Sequence, residues 1–158
     1  MSDPATSSSS EKWQPLETST FQDHVIKHVL GATVLGWIVL GDAAHLVLDV
    51  GLLWTIYVTA EMDLMARSVA IADLESDNVN RADVLQFESD AQLLISQGRE
   101  ATGLVRLTAA PVECVIRGVS LFSCESQRRI LIDGEHADLE ITTSLDNSEL
   151  WTIDSLIH

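Results

Sequence analysis

TVLGWIVLGDAAHLVLDVGLLWTIYVT, residues Thr33–Thr59, is the stretch on which the fold turns. Thr33 to Leu40 is short and rich in β-branched and aromatic residues, which predicts a buried strand. Gly41-Asp42 marks a turn. Ala43 to Val50 has two readings. As a strand it places His45, Val47 and Asp49 on one face and Leu46, Leu48 and Val50 on the other. As a one- to two-turn helix it has Asp42 as N-cap and Gly51 just past its end. The alternation favours the strand. Leu52 to Thr59 reads as the next strand. The same stretch tests for a membrane span, which needs about 20 consecutive apolar residues. The run Val29 to Gly41 stops at Asp42 after 13 residues, and the next is broken by His45 and Asp49. The sequence therefore predicts core strands and no membrane crossing.

Working outward toward the N-terminus, Phe21 to Leu30 reads as a short amphipathic helix. Thr18, Ser19 or Thr20 can cap it, and Asp23 falls in the first turn, where the helix dipole favours an anion. At 100° per residue, Phe21, Val25, His28 and Ala32 share one stripe, with Asp23 and Lys27 on the other side. Gly31 is a natural stop. Residues 1–20 read as a disordered, Ser-rich acidic tail, from the run Ser7-Ser8-Ser9-Ser10 and the breakers Pro4 and Pro15. Trp13 and Leu16 are its large apolar residues, available for docking. Residues 21–158 are then one domain.

Toward the C-terminus, Glu61 to Glu75 is ambiguous, and Ser68 to Leu74 fits a strand or a short helix. Arg81 to Gln97 predicts the longest helix, with Asn80 as cap, Gly98 as stop, and Val84, Leu85, Phe87, Ala91, Leu94 and Ile95 carrying its apolar pattern. Asp83, Glu88 and Asp90 fall to solvent on this reading. The remainder reads as β: Gly103 to Thr108, Pro111 to Phe122, Arg129 to Ile132, a hairpin turn at Asp133-Gly134, Asp138 to Thr143, and Leu150 to Ile157. Closely spaced strands imply antiparallel pairing. The fold class is α+β: two helices with a mainly antiparallel sheet, the C-terminal half a β-meander.

Charge supplies the broadest functional constraint. The 158 residues hold 24 Asp and Glu against 9 Lys and Arg, a formal net charge of -15. The carboxylates are spread from Asp3 to Asp154, and only Lys12 and Lys27 are lysines. A surface so charged repels itself in dilute buffer, and molar salt removes that cost by shrinking the Debye length to about 3 Å. In its few Lys, many Asp and Glu and abundant Ala and Val, the chain resembles small acidic proteins of salt-in halophilic archaea. The resemblance is compositional; it implies a salty cytoplasm and assigns no activity. Nucleic acid is disfavoured as a partner, because phosphate contacts need clustered Lys and Arg. Arg128-Arg129, with Arg117 nearby, is the densest basic spot, suited at most to an anionic ligand or acidic partner. Anionic membrane surfaces are disfavoured likewise. With no apolar signal segment near the start, Cys114 and Cys124 read as reduced cytosolic thiols.

Few residues form patterns with chemical meaning. His24 and His28, four apart on the predicted helix, place two imidazoles on adjacent turns where they can share a divalent metal. The glutamate of a HExxH metalloprotease is absent, since Val25 follows His24. His45 and Asp49 are further possible ligands, with Asp42 beside them. On a strand, however, His45 and Asp49 stand roughly 13 Å apart, too far for one ion, and only the helical reading joins them. Otherwise His28 packs at the core edge and the pair has no ligand. Cys114 with His45 or His136 lacks the cationic setting of a nucleophilic thiol, and reads as a buried strand cysteine. Glu61 and Asp63 fit a strand face or simply the acidic surface. No GxGxxG, P-loop, EF-hand loop, CxxC or GxSxG occurs, so no organic cofactor is predicted. Two functions compete: a non-enzymatic interaction or regulatory protein that self-associates, using Trp37, Trp54 and Trp151 in cores or interfaces, and a metal-binding protein or metal-dependent enzyme centred on His24 and His28. A peripheral membrane protein is a third.

Overall fold

The structure, a computed structural model, describes residues 12–57, 63–68, 81–147 and 150–158. In chain order these form β1 (Gln14–Leu16), α1 (Thr20–Val29), β2 (Thr33–Leu40), β3 (Ala43–Leu48), β4 (Leu52–Tyr57), β5 (Asp63–Ser68), α2 (Arg81–Gln97), a short 3-10 turn (Gly98–Glu100), β6 (Thr108–Cys124), β7 (Gln127–Gly134), β8 (Ala137–Ser144) and β9 (Trp151–Ile157). The fold is α+β and dominated by its sheet. Every ladder is antiparallel, in the order β5-β4-β3-β2-β6-β7-β8-β9, with β1 added beside β6.

β6 joins two meanders. Its first half pairs with β2 (Thr33↔Val115 to Trp37↔Thr108) and its second half with β7. The β6–β7 register slips between Ile116 and Gly118. One extra residue there exchanges the two faces of the strand. Cys114 and Ile116 point inward before the slip, and Leu121 does so after it. Both meanders can thus feed one core, in which Val34, Leu46, Trp54 and Ile56 of the first meet Ile130, Ile132, Leu139 and Ile141 of the second. The opposite face of β2–β4 carries Leu35, Val47 and Leu53, which α2 covers with Phe87, Ala91 and Leu94. Burial on both faces explains why this segment is apolar almost throughout. Gly36 is the close-approach point. A Cβ there would stand 2.5 Å from the Thr108 carbonyl oxygen and 2.7 Å from Leu94 Cδ1.

Helix α1 starts as its sequence dictates. Ser19 forms a capping box with Gln22: the Gln22 N–H donates to Ser19 Oγ (3.1 Å) and the Ser19 N–H to Gln22 Oε1 (2.9 Å). The buried stripe differs from the expected one. Gln22, Val25 and Val29 face inward, while Phe21 and His28 are exposed. The capping box takes Gln22 with it into the contact, and that turns Phe21 outward.

Residues 43–48 are strand, the reading that alternation favours. The hairpin after β7 turns at Glu135-His136, two residues later than Asp133-Gly134 suggests, and Gly134 lies within β7. Residues 103–107 are not a strand. They are an irregular link, and Asp90 is the cause. Expected at the surface, its carboxylate is 0% exposed. It accepts the backbone N–H groups of Val105 (3.0 Å), Arg106 (2.6 Å) and Leu107 (2.9 Å) and the Gln86 amide (3.0 Å). Burial pushes this carboxyl up, but the four donors pull harder and hold it below the ordinary carboxylate value. Of the expected tail, residues 1–11 lie outside the described residues, but residues 12–19 do not hang free. β1 pairs with β6 (Leu16↔Leu121), and the Arg129 guanidinium sits 4.0 Å from the Trp13 ring centre. Asn80 and Glu61, and most of the ambiguous stretch 61–75, lie outside the described residues; Asp63 opens β5.

Candidate functional site

The four residues expected to hold a metal occupy three places. His24 and His28 do lie together on the exposed side of α1, ring centres 4.6 Å apart, and His28 Nδ1 is 3.0 Å from the His24 carbonyl oxygen. His45 is inside, 4% exposed, with Nδ1 3.0 Å from Thr55 Oγ1 and its ring against Phe87. Asp49 sits in the β3–β4 turn and accepts the Thr33 N–H at 2.9 Å. Among the described residues, no three of these four converge on one point.

A different trio does converge. Asp133, Asp138 and His158 gather at the β7–β8 hairpin, their ligand atoms all within 4.8 Å of one another. Its internal pairing accounts for it. His158 Nε2 lies 2.9 Å from Asp138 Oδ1, the Gly134 N–H donates to the same oxygen (3.0 Å), and Arg117 pairs with Asp133 (3.2 Å). Burial pushes the Asp138 carboxyl up, and Gly134 and His158 bring it below its usual value. Beneath the hairpin, Cys114 is 1% exposed. Its thiol is pushed up to about 11 by burial first and by Asp138 and Asp133 second. It is a packed core cysteine and no nucleophile at neutral pH.

The remaining distinctive feature is where the sheet stops. β9 pairs with β8 on one flank, and no described strand pairs with the other. Proteins usually blunt such an edge with lysine, proline or a bulge. Here the strand WTIDSLI holds one charge, Asp154, and no lysine, proline or glycine. Leu150 just before it and Leu156 and Ile157 within it are exposed, Ile157 by 70%. The backbone phase of the edge is readable. The His158 N–H donates to the His136 carbonyl (3.3 Å), so even-numbered residues of β9 bond to β8. The amides of Ile153, Ser155 and Ile157 therefore turn away from β8. Next to them is a cleft of about 370 Å³ where Trp151 and Ile153 face Trp37, Val39, Arg106 and Thr108. β6 pairs with β2 no further than Trp37↔Thr108, which leaves that cleft between the meanders.

The chain matches no protein family, no curated protein and no solved structure. No helix among the described residues is long and apolar enough to cross a membrane. Sequence reasoning missed Asp90, the Asp133–Asp138–His158 cluster and the β9 edge. The first two depend on which segments meet in space. The edge had a visible signal, a last strand without lysine or proline, but which strand ends a sheet is set by topology.

Proposed function

We propose that this chain is a non-catalytic interaction protein that associates with copies of itself in the salt-rich cytoplasm of a halophile. The observation that carries the reading is the outer flank of β9, with which no described strand pairs and along which Asp154 is the one charged residue, on a chain whose net charge is -15. Carboxylates so numerous keep copies apart at low ionic strength, and molar salt screens them. With Asp154 as its one charge, β9 is then a strand where contact costs little. Sedimentation velocity in molar and in dilute potassium chloride tests the reading. A dimer in molar salt that dissociates or unfolds in dilute salt is expected; a monomer under both conditions overturns it.

A second reading, a divalent metal held by His24 and His28, draws on their ring contact at 4.6 Å. Zinc titration of the purified chain and of His28→Ala decides it. Stoichiometric zinc that the variant loses favours this reading, and no zinc uptake ends it.

A further inference from the structure

We infer that the cleft between the two meanders is a binding site for a small aromatic carboxylate, its ring among Trp37, Trp151 and Ile153 and its carboxylate at Arg106. The site goes beyond the self-association reading, since one chain holds every residue of it.

The cleft exists because the β2–β6 ladder stops early, at Trp37↔Thr108. Residues 105–107 are placed to continue it past Ile38 and Val39, but their N–H groups donate to the buried Asp90 carboxylate instead. The gap opens onto the inner faces of both meanders. Trp37 belongs to the core cluster, and Val39, two residues on, shares its face. Trp151 and Ile153 pair with Thr143 and Ile141 of β8, and Ile141 is core, so both look inward from the other side. Mouths between strands are common places for small ligands, in cavities from roughly 300 Å³ upward. At about 370 Å³ this one has room for a ring system and none for a folded partner.

The lining selects the charge of the ligand. Arg106 is the one charged residue that lines the cleft, and among the described residues no carboxylate does, on a chain with 24 Asp and Glu against 9 Lys and Arg. Asp90 fixes Arg106 at the rim through its backbone amide, at 2.6 Å. Arg106 and Trp151 each also keep an interaction within the chain. A guanidinium has five donors, enough to keep such a partner and receive a carboxylate. Thr108 adds a hydroxyl, and the rest of the lining is apolar. Indoles pack well against flat rings. A flat apolar body with one anionic end matches both parts of this surface.

Titration of the full chain with naphthoate in molar potassium chloride tests the site, read from the tryptophan indole N–H signals by NMR. Saturable shifts are expected at Trp37 and Trp151 and none at the fully buried Trp54. Naphthamide, the uncharged isostere, is expected to bind about tenfold more weakly, and acetate to leave the indole signals in place. Arg106→Gln should abolish the preference for the acid and leave naphthamide binding unchanged, which also shows that the variant is folded. Trp151→Ala should weaken both probes. Absence of a saturable shift with naphthoate overturns the proposal. So does equal affinity for the acid and the amide, and so does binding that neither substitution alters.

Discussion

Replacing Asp90 should be among the most damaging single changes in the chain. Its carboxylate is fully buried and accepts three successive backbone N–H groups from 105–107 together with the Gln86 amide. Hydrogen bonds to a charged acceptor contribute about 1.5–3 kcal/mol each, against about 0.5–1.5 kcal/mol for neutral ones. Asp90→Asn keeps the shape and loses the charge. At about 1 kcal/mol for each of three amides, the cost is about 3 kcal/mol. Asp90→Ala strands those donors. At about 1–3 kcal/mol each, with water able to reach the partly exposed Val105 and Arg106 amides, the cost is about 3–5 kcal/mol. That is a large part of the 5–15 kcal/mol typical of a domain, and lowers Tm by roughly 10 °C. The pH dependence has a definite sign. The folded carboxyl titrates below its unfolded value, so the unfolded chain binds the proton more readily. The contribution of Asp90 is therefore complete above about pH 4 and is lost as pH falls through the lower, folded value. Thermal and urea unfolding in molar salt, from pH 7 down to pH 3, measures both effects. A cost below about 1 kcal/mol for Asp90→Ala, or an acid slope in Asp90→Asn equal to wild type, would refute the reasoning.

Other expectations follow from single contacts. Gly36→Ala puts a methyl group against the Thr108 carbonyl and Leu94, and should cost about 1–3 kcal/mol, read from the urea midpoint. Cys114, buried and with its thiol pushed up to about 11, should resist a disulfide reagent at pH 8 in the folded chain and react once urea unfolds it; prompt labelling of both thiols would contradict its placement. Trp13→Ala removes the cation–π contact with Arg129 and should cost about 0.5–2 kcal/mol, while exposing Gln14–Leu16 to faster hydrogen exchange.

The legible part of the fold was the part written in local pattern. TVLGWIVL has no helical period and too few residues to span a membrane, and it forms β2. Leu139 and Ile141 alternate with Asp138 and Glu140, and they face the core in β8. Gly98, at φ +79°, ends α2 where a helix stop was expected. Misplaced details share a cause in contacts distant along the chain. Asp90 looks like one more carboxylate of an acidic surface until residues 105–107 fold onto it. Those residues look like a strand because nothing local says that their amides are claimed by a side chain. Phe21 loses its place in the α1 stripe because the capping box turns Gln22 inward. The histidine site suffered similarly. Spacing put His24 and His28 on one helix face, and they are there; His45 went to the core because Thr55, on the neighbouring strand, offers its ring a partner.

Self-association through β9, with whose outer flank no described strand pairs, is the claim that gives the acidic surface and that strand a common purpose. Light scattering on the purified chain in molar potassium chloride weighs the particle directly. The account predicts twice the 17.3 kDa chain mass. A particle of one chain mass at every concentration tried would contradict it.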